Sequence, residues 1–383
     1  MTSLWIKDVR PWGGPATDLH VVDGLFVAAP AGPEAAVVAG GGRIALPALV
    51  DAHAHLDKTS WGTPYRPHSA GATLAALIDN ERANRGDLGP VRERAGALLD
   101  RHIERGVLHV RSHVDVDPTI GLDSVAGVLA AAADRAGQVT VEVVAFPQSG
   151  LLTRAGTAEL MAEAIDAGAH LIGGLDPAGF DGDPIRHLDT IFGIAADKNA
   201  GLDIHLHDRG TLGAWQIERI AERTKAFGLP GRVTIAHCYA LSTVDDVRQG
   251  SLIELLAAAD IALTTTVPGT TPQLPLARLM AAGVRVGLGH DGVRDLWSPY
   301  GTGDLLDKAL MLAVTSGYRQ DADIERTARL ATEGGAAVLG LPDYGLEPGC
   351  RANLLLLPAE SVVEAITQRP VDRTVIAGGV VVS

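Results

Sequence analysis

A (β/α)₈ TIM barrel of the α/β class, carrying a small β-sandwich built from the N- and C-terminal segments, is the fold predicted by this 383-residue sequence. Three observations predict it. Eight short β-rich runs alternate with alanine-rich helical stretches from Ala45 onward. From the second run to the sixth, the starts lie about thirty residues apart, the length of one βαβ unit. Both ends of the chain read instead as short β pieces broken by glycine and proline. Eight strand–helix units need roughly 250 residues, which the middle of the chain supplies. An open doubly wound sheet shares the alternation and is the competing architecture.

The eight runs are Ala45–His55, Val107–Val116, Gln138–Pro147, His170–Pro177, Gly201–Asp208, Arg232–Tyr239, Ile261–Pro268 and Arg285–Gly292. Helical spacing separates them: Leu160, Ala164 and Ala167 recur at four and three residues, with Met161 and Ile165 beside them. The longest apolar stretches, Val125–Ala133 and Leu252–Ala259, read as buried helix. At the ends, Asp18–Val27, Ala36–Val38, Ala352–Leu357 and Arg373–Val382 read as short strands. The expected division is therefore a sandwich from residues 1–46 and 347–383 around a catalytic barrel from 47–346. The glycine run Gly40–Gly42 lacks the Lys-Ser or Lys-Thr of a phosphate loop and reads as a hairpin turn.

Composition narrows the function. With 46% hydrophobic residues the chain is not disordered. A net charge of −14 disfavours nucleic acid and anionic membrane as partners. No apolar run approaches the ~20 residues of a membrane span. The opening residues, MTSLWIKDVRPWGG, lack the basic and apolar regions of a signal peptide. Two cysteines, Cys238 and Cys350, cannot make a disulfide framework. The expectation is a soluble, cytoplasmic protein.

The chemistry concentrates where a barrel places its active site, at the C-terminal strand ends. The first run ends Asp51-Ala52-His53-Ala54-His55-Leu56-Asp57-Lys58. Histidines two apart on a strand point to one side, so His53 and His55 can meet one cation. Alone, the pair is a weak signal, and two histidines satisfied by backbone carbonyls is the better reading of it. Other strand ends add to it: His205-Leu206-His207-Asp208, Ala236-His237-Cys238 and Gly289-His290-Asp291-Gly292. Imidazoles with a carboxylate suit zinc or another borderline divalent metal.

These segments, with His109-Val110-Arg111-Ser112-His113-Val114-Asp115, Ala145-Phe146-Pro147-Gln148, Trp297 and Gly301-Thr302, resemble the amidohydrolase superfamily, and within it the cytosine deaminase branch, over nearly the whole chain. The resemblance implies one divalent ion, Zn²⁺ or Fe²⁺, held by His53, His55, His205 and Asp291. It implies a catalytic His237 that polarises the substrate or the attacking oxygen, with Asp291 accepting a proton. It also implies a ring contact from the Gln148 amide, with Lys58 and Trp297 as further substrate contacts. Relatives of this fold generally assemble, so a homo-oligomer is expected by analogy.

Two positions depart from the branch. The glutamate three residues after the strand-five histidine, which protonates the departing amine, is Asp208 here. Aspartate is one methylene shorter, so the proton route tightens, passes through water, or uses a neighbour such as His207; otherwise Asp208 caps the next helix. The acidic residue that commonly follows the metal aspartate is Gly292 here, a lost polar contact to substrate. Hydantoinase-like binuclear relatives bridge two metals with a lysine after strand four. Here that strand ends Gly173-Gly174-Leu175-Asp176-Pro177, which predicts a mononuclear site. Lys58 orients a substrate oxygen or pairs with Asp57, His113 and Asp115 brace the ligands from outside, and Cys238 packs.

The leading expectation is hydrolytic deamination of a cytosine-like pyrimidine or a triazine, a small N-heterocycle, with release of ammonia. The alternative keeps the site and cleaves an N-alkyl amine, as in N-isopropylammelide hydrolases, or a cyclic amide. A non-catalytic metal- or ligand-binding barrel is a third reading. Deamination of bases within DNA or RNA is the least favoured, since the chain lacks a basic channel and Cys-x-x-Cys ligands.

Overall fold

The computed structural model describes residues 3–29, 32, 34–69, 71, 73–267, 269 and 271–383. Fifteen strands form two sheets among these residues. In chain order they are β1 (Ser3–Pro11), β2 (Thr17–Val22), β3 (Leu25–Val27), β4 (Ala36–Pro47), β5 (Leu49–Ala54), β6 (Val107–Asp115), β7 (Thr140–Phe146), β8 (Leu171–Leu175), β9 (Gly201–His205), β10 (Val233–Ala236), β11 (Ile261–Thr265), β12 (Val286–Leu288), β13 (Leu354–Leu357), β14 (Thr374–Ala377) and β15 (Val380–Val381).

Strands β5 to β12 are all parallel neighbours in sequence order, each pair joined by helix. The sheet closes on itself: the Asp291 N–H donates to His53 O at 2.8 Å, and Ala54 bridges Asp291. Gly289 permits this closure, because a Cβ there would lie 2.5–2.6 Å from backbone and Cβ atoms of His53. Closure selects the barrel over the open doubly wound sheet.

Alternation along the strands sorts the side chains. Leu108, Val110 and Val114 of β6, Leu202 and Ile204 of β9, and Ile235 of β10 face outward into the main apolar core. That core is completed by helices such as Val91–Glu104, Asp123–Ala133 and Pro184–Asp197. Arg111, His113 and Asp115 of β6, with Asp203 and His205 of β9, alternate to the opposite side, the barrel axis.

The seven-stranded mixed sheet runs β15-β14-β13-β4-β1-β2-β3, so both ends of the chain build it together. Two sequence expectations change here. The run Ala45–His55 is two strands, because Ala45, Leu46 and Pro47 pair with Leu356, Leu355 and Leu354 of β13 while β5 begins at Leu49. Gly40–Gly42 is not a hairpin turn but a bulge inside β4. The β1 partner register jumps there from Lys7–Ala39 to Val9–Arg43, with Gly41 and Gly42 at φ 61° and 74°. The predicted run Ile261–Pro268 forms strand over Ile261–Thr265, and its end at Pro268 lies outside the described residues. No helix of the described residues is long and apolar enough to cross a membrane.

Candidate active site and metal centre

His53 is the penultimate residue of β5, and His55 follows the strand's end; β6 supplies His113 and β9 supplies His205. One ring nitrogen from each of these four lies within 4.8 Å of all the others. All four side chains are buried. His53 Nε2, His55 Nδ1 and His205 Nδ1 have no hydrogen-bond partner. Leaving a buried polar atom unpaired costs about 1–3 kcal/mol, so buried histidines whose rings gather here with nitrogens left unpaired suit a bound ligand. Asp291 completes the set, with Oδ1 at 3.3 Å from His55 Nε2 and 3.9 Å from His53 Nε2.

The protonation states agree with that chemistry. Burial pushes His53 down to about 3, with neighbouring His113 adding to the effect. Burial likewise holds His205 and His237 well below the usual imidazole range. For Asp291 burial acts the other way, but the His55 hydrogen bond and the surrounding imidazoles hold its carboxyl well below the ordinary value. Neutral imidazoles beside an ionised carboxylate form a donor set for a divalent metal. Three nitrogens and one oxygen with no lysine on β8 fit a single ion.

His237 follows β10 at the same rim and has no partner for its buried Nε2. Its Nδ1 lies 3.4 Å from Thr266 Oγ1, which in turn lies 3.4 Å from Asp291 Oδ2. His237 and Asp291 both take left-handed backbone conformations, φ 64° and 65°. Such conformations cost of order 1–3 kcal/mol and persist where the surroundings impose them.

These groups open onto a cavity of about 600 Å³, whose wall includes His55, His205, His207, His237, Gln148 and Asp291. Gln148, after β7, has its Oε1 fixed by Lys58 Nζ at 2.6 Å, leaving its NH₂ for a ligand. Trp297 also lines the cavity, and its Nε1 is taken by Glu81 Oε2. Lys58 stands behind Gln148. It pairs with Asp115 at 3.2 Å and Glu81 at 3.4 Å, and Asp57 instead accepts from the Asp115 N–H. Of the two sequence readings for Lys58, the ion pair is present but with different partners. His113 Nε2 lies 3.3 Å from Asp203 Oδ1, between the cluster and the barrel axis below. Cys238 is fully buried and burial raises its thiol pKa, as a packing residue requires.

Asp208 is not brought to the cavity wall among the described residues. Its Oδ2 accepts from Gly179 N at 3.0 Å and from Gln216 Nε2 at 2.8 Å. His207 occupies the wall instead, its ring 4.4 Å from that of His237 and its Nδ1 held at 2.8 Å by Asp176 Oδ2. Burial disfavours the charged imidazole, yet the Asp176 hydrogen bond and charge raise the His207 pKa above its ordinary value. Sequence reasoning missed three further residues. Glu81 sits on helix Leu74–Asn84, in a region without strand-end signal. Asp176 follows strand β8 with no motif of its own, and Asp295 lies in a loop after the last barrel strand.

The amidohydrolase family model matches residues 36–382. The chain belongs to the amidohydrolase family. Within that family, the amidohydrolase described here is 39% identical to the solved N-isopropylammelide isopropylaminohydrolase of Burkholderia multivorans, with TM-score 0.96 over 100% of this chain and 98% of that one. It is 30% identical over 354 residues to the N-isopropylammelide isopropyl amidohydrolase of Pseudomonas sp. strain ADP, covering 88% of this chain and 85% of the relative. It also resembles 5-methylcytosine deaminase of Klebsiella pneumoniae, solved with 5-fluorocytosine, at 26% identity and TM-score 0.85 over 99% and 97% of the two chains. This amidohydrolase is a metal-dependent hydrolytic enzyme acting on C–N bonds.

Proposed function

We propose that this amidohydrolase releases an exocyclic amine, as ammonia or an alkylamine, from a carbon of a six-membered N-heterocycle. The observation that carries the proposal is the convergence of one ring nitrogen each from His53, His55 and His205, with the Asp291 carboxylate against His55 and His53, beside a ring-sized cavity. One divalent ion, zinc or ferrous iron, held by these four residues would supply Lewis-acid activation of a water molecule near neutral pH.

The chain's own groups do the rest. Asp291, ionised and in contact with His55, would take a proton from the attacking water. His237, whose buried Nε2 has no hydrogen-bond partner, would polarise the group whose carbon is attacked. The Gln148 NH₂, locked by Lys58, donates to an acceptor on the ring. The departing nitrogen needs a hydrogen-bonding neighbour, and His207, with Nδ1 tied to Asp176, keeps Nε2 for it.

The likeness to the two N-isopropylammelide hydrolases favours an alkylamino-oxotriazine, with N-alkyl cleavage on a retained ring. The likeness to 5-methylcytosine deaminase supports ammonia release from an aminopyrimidine as the second reading. Purified, metal-loaded protein offered N-alkylaminotriazines, aminotriazines and aminopyrimidines is expected to release amine from at least one class. Product mass decides the bond: loss of amine with gain of one oxygen supports the proposal, and gain of water alone, meaning ring opening, overturns it.

A further inference from the structure

Gly292 follows the metal-site aspartate, and the space its side chain would fill is already taken. A Cβ on Gly292 would lie 1.8 Å from Asp295 Oδ2. Asp295 reaches there because its loop folds back: Oδ1 accepts from the N–H groups of Trp297 at 2.8 Å and Ser298 at 2.7 Å, while its own N–H donates to Ser298 O at 3.0 Å. Oδ1 is thus spent on the turn, and Oδ2 has no hydrogen-bond partner among the described residues. Gly292 and Asp295 both line the cavity, together with Gln148 and Trp297.

The wall therefore offers two complementary groups. Gln148 presents a donor, since Lys58 occupies its Oε1. Asp295 Oδ2 presents an acceptor. Trp297 contributes ring surface, its Nε1 being committed to Glu81. We infer that Asp295 is a specificity-determining residue, which reads a ring N–H and so selects oxo-substituted heterocycles in their lactam form. Gly292 is the residue that makes room for it, so the acidic group absent at position 292 is supplied from three residues further on. Burial, against the opposing N–H bonds from Ser298 and Trp297 and with a smaller push from Glu81, raises the Asp295 carboxyl to about 6; it is largely ionised, and an acceptor, above that pH. The inference rests on reading the cavity as a ring-binding site.

The test measures binding by calorimetry on the metal-loaded protein, using cytosine and ammelide beside their ring-N-methylated forms. The wild type is expected to bind the N–H rings at least about tenfold more tightly than the methylated ones, the range for a hydrogen bond to a charged group. Asp295→Asn keeps Oδ1 for the turn but places an NH₂ where Oδ2 was, and the preference is expected to fall to within about twofold. Gly292→Ala displaces the carboxylate and is expected to do the same. A wild type without the preference overturns the inference, as does a preference that survives in Asp295→Asn. So does a third pattern, Asp295→Ala losing all rings equally while Asp295→Asn loses none, which makes Asp295 a turn anchor only. Should the preference hold but no ring release its amine, the reaction reading fails and the Asp295 inference stands.

Discussion

Two polar layers lie next to each other along the barrel axis, and they are built on the same strands by opposite rules. The upper layer is His53, His55, His113 and His205, where all four histidines keep a buried nitrogen without a hydrogen-bond partner. The lower layer centres on Arg111, two residues before His113 on β6. Its guanidinium reaches Glu142 Oε2 at 2.9 Å, Asp203 Oδ2 at 3.2 Å, Thr234 Oγ1 at 3.1 Å and Val338 O at 3.4 Å. Barrel interiors are filled by such layers of inward side chains taken from alternating positions. Both layers are desolvated, yet only the lower one repays that cost within the chain. A buried charge that is paired and hydrogen-bonded is structure; a buried cluster that is not is a place where something else binds.

Breaking the upper layer should cost function most. For His53→Ala, metal measured by atomic absorption is expected to fall below about a tenth of an equivalent, consistent with loss of a ligand on top of the 10–100-fold that outer partners alone supply. Amine release is expected to fall with it, and chelation of the wild type should reproduce the loss, reversed by added Zn²⁺ or Fe²⁺. Full turnover by the metal-free variant would erase the distinction between the layers. Breaking the lower layer should cost stability instead. Arg111→Met strands Asp203 and Glu142 without their cation, and denaturant unfolding is expected to show a loss of about 3–5 kcal/mol. Its metal content is expected to stay near one equivalent. An Arg111→Met protein as stable as the wild type would mean that the lower layer is not what holds the barrel centre.

The sequence made the upper layer legible and the lower one nearly invisible, for a physical reason. His53, His55, His205 and Asp291 lie at strand ends, where histidine and aspartate have little structural reason to accumulate, so their coincidence stands out. Arg111 and Asp203 lie mid-strand, where only pairing across the barrel explains a charge, and that pairing joins positions 92 residues apart. The eight barrel strands were readable from alternation and spacing, because those follow from local chain chemistry. The join between Pro47 and Leu49 was not, since one continuous apolar run serves two sheets and only the β13 partner, three hundred residues later, reveals the break. Asp208 shows the same limit from the other side. Its position three residues after His205 predicts a place in the site, but its carboxylate has a closer bargain with Gly179 N and Gln216 than with the cavity.

Asp203 is the residue that couples the layers, and it offers the finest test of the comparison. One carboxylate oxygen faces Arg111 at 3.2 Å and the other faces His113 Nε2 at 3.3 Å, with His113 packed 4.3 Å from His53 and 4.5 Å from His205, ring to ring. Burial would raise its pKa, but His113 and Arg111 together hold the carboxyl below its usual value. Asp203→Asn keeps the shape and removes the charge. If the layers are separate devices, the variant should lose only stability, as a muted Arg111→Met. If His113 is the brace that orients the ligating imidazoles, metal affinity should also weaken by about 10–100-fold, the effect of losing an outer partner. The second outcome is expected, because among the described residues Asp203 is the charged group paired with His113 Nε2, which fixes its ring against His53. Competition with a metal-chelating dye, read beside the unfolding midpoint of the same preparation, separates the two, and an unchanged zinc affinity would show that His113 holds its place by packing alone.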